Sequence, residues 1–166
     1  MRTRPDPVLQ TPGSEDCLYC TVSFIARVLG FGIPVEEIRR MKAEGGPDGI
    51  RRSPEHYFAE YWGVKDWHWC YENTDQIDKS WWMGSSKKNW VLSWLKEGYV
   101  GIAHVHRGSP GHAVAVLEGD ENHVTLMDPL YGIRKDSWSW FLGPGPGQPG
   151  AHAIYAWYPL CLEKPA

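Results

Sequence analysis

The hydrophobic period of this chain changes at Gly98, and that change constrains the fold more than any other feature. Before Gly98, apolar residues recur at spacings of three and four. After it, they fall in short alternating or continuous apolar runs. Helices followed by strands predict an α+β fold with an antiparallel sheet, not alternating βα units.

The helical part reads as four segments. The first spans 17–30, with Leu18, Val22, Ile25 and Leu29 on one face. Ser14 or Asp16 can cap its start and Gly30 can end it. The second spans 34–44, with Pro34 in its first turn and Gly45-Gly46 as a stop. The third spans 53–62. The fourth spans 86–97, where Trp90, Val91, Trp94 and Leu95 form an apolar stripe. Between the last two, 64–84 is aromatic and irregular, with a strand or loop expected around Trp67–Tyr71. Three successive strands follow: YVGIAHVH, HAVAVLEG and HVTLMDP, joined by the turn-like RGSPG and GDEN. A last strand fits HAIYAWYP, and GPGPGQPG before it is too rich in Gly and Pro for a regular element.

A length of 166 residues suits one domain, 1–166, with a helical lobe over about 12–97 and a β lobe over about 98–160. Hydrophobic content of 42% and charged content of 22% fit a soluble globular chain. No apolar run reaches the ~18 residues of a membrane span. The start, MRTRPDPVLQ, has no apolar stretch behind its arginines, so we expect synthesis in the cytoplasm without a signal peptide. Net charge of −3 argues against a nucleic-acid surface. The doublets Arg39-Arg40, Arg51-Arg52 and Lys87-Lys88 read as solvated faces. The ten tryptophans should mostly wall the core or a cleft.

Four residues carry the candidate chemistry. Cys17 stands at a predicted helix start, where the partial positive charge favours a thiolate; the alternative is a buried inert cysteine. His112 opens a strand after a Ser-Pro-Gly turn, at the sheet edge, and could equally be a surface turn histidine. Asp128 closes the next strand. Pairing 112–118 with 122–128 brings it beside His112, where a carboxylate can hold the imidazole's orientation and tautomer. Gln10 precedes the helix; its amide could donate to an oxyanion, or it could be a solvated residue of a polar leader.

Two other readings use the same residues. Cys17-Leu-Tyr-Cys20 at a helix start looks like the dithiol of glutaredoxin-like redox proteins. That fold needs a buried strand directly before the motif, and only Val-Leu-Gln lies there. A zinc site could combine Cys17 and Cys20 with two of His104, His106 and His112, but no second half-site of matching spacing follows.

The segment from Gln10 through Asp16-Cys17 to Gly30 resembles the nucleophile region of papain-like cysteine peptidases. It is most similar to the bacterial branch of double-glycine leader peptidases and effector proteases. Pro110-Gly111-His112-Ala113-Val114-Ala115-Val116 resembles that branch's Gly-His-Ala-Val motif, Met127-Asp128-Pro129 its Asp-Pro motif, and Gly49 suits the pattern. The resemblance covers about 10–30 and 99–132. It implies a two-lobed papain-like fold, helices carrying the cysteine and strands carrying His and Asp. It implies Cys17 as nucleophile, His112 as base, Asp128 as orienter and Gln10 as oxyanion donor, with no metal or organic cofactor. Cys20 would pack beneath Cys17, or trap it in a disulfide on oxidation. Papain-fold acyltransferases and amidases share the same Cys-His pair. The resemblance further implies a protein or peptide substrate and a preference for Gly-containing sites; the charge and the lack of a long apolar run lead us to expect no membrane or nucleic-acid partner. A small stand-alone domain of this kind looks like an effector or toxin, exported by a signal-less route and matched by an immunity protein. We expect a monomer.

Overall fold

A computed structural model describes residues 4–68, 70–71, 85–105, 111–142 and 154–161. Helix α1 (Cys17–Val28) is followed by α2 (Val35–Glu44), a 3-10 turn (Pro54–His56) and the short α3 (Tyr57–Glu60). Two two-residue strands, β1 (Asp66–Trp67) and β2 (Cys70–Tyr71), precede α4 (Ser85–Lys96). Then come β3 (Val100–Val105), β4 (His112–Gly119), β5 (His123–Asp128), β6 (Gly132–Ser137), α5 (Trp138–Leu142) and β7 (Ile154–Cys161). The α+β order expected from periodicity is the order observed, and the sheet is antiparallel throughout.

The strands run β1-β7-β3-β4-β5-β6, with β2 also on β7. The last strand therefore sits inside the sheet rather than at its edge. Gly101 of β3 makes room for it: a Cβ there would lie 2.4 Å from the Trp157 ring. Apolar clusters cover both faces. On one, α1 and α2 pack Val22, Phe24, Ile25 and Ile38 against Ile102, Ala115, Met127 and Tyr158. On the other, Val91, Leu92 and Leu95 of α4 and Phe141 of α5 pack against Val114, Val116, Leu126 and Trp157. Burial of this much apolar surface on two faces is the main stabilising contribution to such a fold.

Helix α1 departs from the amphipathic expectation. Residues Cys20 through Ala26 are all buried, so it is enclosed nearly all round. It ends as expected at Gly30, whose φ of +98° suits glycine. The Phe31 N–H donates to the Ala26 carbonyl and the Gly30 N–H to the Arg27 carbonyl, which together make a Schellman stop.

The third expected helix, 53–62, is instead the 3-10 turn and one turn of α-helix. The strand β6 and the helix α5 have no counterpart among the elements that the sequence pattern predicts. The expected turn RGSPG and loop GPGPGQPG, apart from Gly111, lie outside the described residues, as do His106 and most of 64–84. The seven tryptophans described are buried or partly buried, in keeping with their reading as wall residues.

Candidate active site

Cys17 is the first residue of α1. Asp16 occupies the cap position, but its side chain does not cap the helix; it pairs with Arg39 at 2.7 Å. The Cys20 N–H donates to the Asp16 carbonyl at 2.9 Å, which starts the helical ladder. The amides of Cys17, Leu18 and Tyr19 come before that ladder, so none has a carbonyl within the helix. The Leu18 N–H favours the Cys17 thiolate.

His112 is the first residue of β4 and is buried. Its Nε2 and Asp128 Oδ1 share a hydrogen bond of 2.8 Å. Asp128 is wholly buried at the end of β5 and also accepts the Leu130 N–H on the same oxygen at 2.9 Å. With Nε2 committed to the carboxylate, Nδ1 is the nitrogen left for the Cys17 thiol, with which His112 also hydrogen-bonds.

The juxtaposition differs in one detail from the expected hairpin. The register is Ala115 opposite Met127 and Val116 opposite Leu126, then shifts by one beyond Val116. Continued outward, it sets Asp128 opposite Val114. His112 is thus diagonal to Asp128, on the same face two residues on, within reach of a ring and a carboxylate.

Ala113 joins the two halves. Ladder pairing of β4 with β5 begins at Ala115, so Ala113 lies beyond it. Its N–H donates to the Cys17 sulfur. Its carbonyl accepts from Thr21 Oγ1 at 3.1 Å, one helical turn after Cys17. Sequence reasoning did not single out Thr21. The available signal was a hydroxyl four residues after the cysteine, on the same helix face.

The electrostatics follow from these contacts. Partial burial opposes a Cys17 thiolate; the hydrogen bond and charge of His112 and the N–H groups of Ala113 and Leu18 outweigh it, holding the thiol below its ordinary value. Burial likewise opposes a charged His112, but Asp128 and Cys17 push its pKa up to about 9. Cys20 behaves in the opposite way. Burial, then the charges of Asp16 and Cys17, raise its thiol to about 11, and it packs in the core beneath the helix start. Both thiols are free.

Gln10 approaches the end of the sheet that carries His112 and Asp128. Its N–H donates to the Pro129 carbonyl at 2.9 Å, just after Asp128. Its side-chain Nε2 donates to the Ser14 carbonyl at 2.8 Å, just before Cys17. The reverse amide orientation would set two carbonyl oxygens against each other, so the Nε2 end is fixed and keeps a second hydrogen. Gln10 is therefore tied to both sides of the Cys17–His112–Asp128 chain.

His104 is engaged elsewhere, 3.3 Å from the buried Glu55. Among the described residues no group of three His, Cys, Asp or Glu side chains could hold a metal ion. No helix among them is long and apolar enough to cross a membrane.

The sequence matches no protein-family model and no curated protein. Solved structures do match. The peptidase domain of Streptococcus ComA, a bifunctional ABC transporter of a quorum-sensing pathway, superposes with a TM-score of 0.58 at 14% identity, covering 93% of this chain and 96% of that one. A double-glycine motif protease from an AMS/PCAT transporter, solved with its leader peptide, gives 0.55 at 14% identity, covering 95% and 92%. The chain has the α+β fold of the papain-like cysteine peptidases, and the solved structures it resembles include peptidase domains of the double-glycine kind.

Proposed function

We propose that this protein is a cysteine peptidase that cleaves a protein or peptide substrate without a metal or organic cofactor. The observation that carries the reading is the hydrogen-bonded chain from Cys17 through His112 to Asp128, with the thiol at a helix start. The Cys17 thiolate attacks the scissile carbonyl carbon. The carbonyl oxygen takes the electron pair and is held by the Cys17 N–H and Gln10 Nε2–H. As the tetrahedral intermediate collapses, the C–N bond breaks and His112 delivers its proton to the leaving amine. Water, deprotonated by His112, then releases the acyl group from sulfur. Asp128 orients the imidazole throughout and stabilises its charged form.

The experiment is comparative alkylation of wild type, Cys17→Ala and Cys20→Ala by iodoacetamide at mildly acidic pH, alongside hydrolysis of a peptide pool. The expected result is one fast thiol, lost with Cys17 and kept without Cys20, and peptide cleavage with the same dependence. A need for both cysteines would favour a dithiol redox protein. Against that reading stand the papain-like fold and the raised pKa of Cys20.

Two finer parts of the proposal rest on the resemblance in sequence. One is a preference for Gly-containing sites, which equal cleavage of bulky-residue peptides would overturn. The other is an effector or toxin role opposed by an immunity protein. Toxicity on cytoplasmic expression, relieved by Cys17→Ala, supports it; harmless wild-type expression counts against it.

A further inference from the structure

We infer that Leu9, Leu130 and Tyr131 form a subsite for an apolar side chain on the leaving-amine side of the scissile bond; this rests on the peptidase reading above. Large hydrophobic side chains are exposed at four places among the described residues: Leu9 (58%), Ile50 (52%), Leu130 (41%) and Tyr131 (58%). Ile50 stands apart. The other three flank the candidate machinery: Leu9 adjoins Gln10, and Leu130 and Tyr131 follow Asp128 by two and three residues.

The backbone brings them together. Gln10 N–H to Pro129 O lays the segment around Leu9 along the turn after β5. Pro7 and Leu9 cover Gly132, where a Cβ would meet their side chains at 3.7 to 4.0 Å. The turn itself is tied twice to Asp128: Leu130 N–H donates to its carboxylate, and Tyr131 N–H to its carbonyl at 3.0 Å. Arg134 lies 5.3 Å from the Tyr131 ring centre and 4.8 Å from that of Trp140, which steadies the exposed ring. The shelf is thus pre-organised, so little side-chain or turn entropy opposes binding there.

Direction follows from the chemistry. The leaving nitrogen must receive its proton from His112, so the departing segment runs past the imidazole. Asp128 lies behind that imidazole, and the turn 128–131 continues from it. A short apolar shelf continuous with the reacting groups suits one substrate side chain. Three side chains fall well short of the roughly 800 Å² per partner that a stable dimer needs.

The test is cleavage of a random-sequence peptide pool, with cut sites read by mass spectrometry, for wild type, Leu9→Ser and the double variant Leu130→Ser, Tyr131→Ser. Alkylation of Cys17 by iodoacetamide checks that the nucleophile is intact. Wild type is expected to favour Leu, Phe or Met over Asp or Lys immediately after the cut by about tenfold in kcat/KM, and the variants to lose that preference. A wild-type profile indifferent to that position, or a preference that survives the double variant, overturns the subsite. If the pool is left uncut while Cys17 still alkylates fast, the peptidase reading fails and the subsite with it.

Discussion

Thr21 Oγ1 donates to the Ala113 carbonyl across the joint between α1 and β4, at 3.1 Å and fully buried. The bond lies one turn after Cys17 on the helix and one residue after His112 on the strand. It is therefore a direct polar tie between the element that carries the thiol and the element that carries the imidazole, away from the reacting atoms themselves. Replacing Thr21 by Val keeps the shape and strands the carbonyl, which should destabilise the protein by about 1–3 kcal/mol in urea unfolding. If the tie also positions the pair, kcat should fall while KM stays near its wild-type value, and Thr21→Ser should restore both. A Val variant with unchanged kcat would leave Thr21 a purely structural residue.

The reactive pair predicts a specific pH response. Without His112 its hydrogen bond and charge vanish, and only the Ala113 and Leu18 N–H groups oppose the burial of the thiolate. The alkylation midpoint of His112→Ala should therefore move to higher pH than in wild type. Stability should respond too. A histidine at about 9 in the fold and 6.5 in the unfolded chain contributes stability that is fully present below pH 6.5. That contribution is lost as pH rises to about 9, while the Cys17 thiolate contributes in the opposite sense, above its lowered pKa. Urea unfolding of wild type and variant between pH 6 and 9.5 reads the difference. An alkylation profile identical in the two proteins would sink the ion-pair account.

Much of this site was legible because its signals are local. Cys17 sits between a polar leader and a helix whose Gly30 stop is readable, and His112 and Asp128 bound two apolar runs joined by a short turn. The strand β6 was not legible. Its sequence GIRKDS places Arg134, Lys135 and Asp136 on an outer strand, where charges guard an open edge and no apolar alternation is needed. The helix α5 is five residues long, too short to show a period. The position of β7 depends on the fit of Trp157 over Gly101, a contact 56 residues apart in the chain that no local pattern encodes. The register shift beyond Val116 sets Asp128 opposite Val114 rather than Ala115, and so on the face of β4 that carries His112; it also has no local signature.

Asp128 controls how far His112 stays protonated. Its carboxylate is the leading contribution raising the imidazole pKa to about 9 against burial. Asp128→Asn keeps the shape but removes that charge, so the basic limb of kcat/KM should move from near pH 9 toward the ordinary histidine range. The rate at the optimum should drop as well, because the amide oxygen can still accept from Nε2–H but no longer stabilises the imidazolium. A variant whose basic limb stays in place would assign that limb to a different group.

Gln10 separates oxyanion stabilisation from thiolate formation. Its Nε2 is oriented by the Ser14 carbonyl, and the leading influences on the Cys17 thiol are burial, His112 and the N–H groups of Ala113 and Leu18. Gln10→Ala should therefore leave the rate and pH profile of iodoacetamide alkylation unchanged, since that displacement at carbon builds no oxyanion. Peptide hydrolysis does build one, and loss of a single preorganised donor lowers kcat by about 10²–10³. Gln10→Glu should be at least as damaging, because a carboxylate repels both the Ser14 carbonyl and the developing negative charge. The backbone tie from Gln10 N–H to Pro129 O survives both substitutions, so the shelf beside it should stay in place. Equal losses in alkylation and hydrolysis would show that Gln10 supports the thiol itself, and the oxyanion role would have to pass to backbone amides at the start of α1.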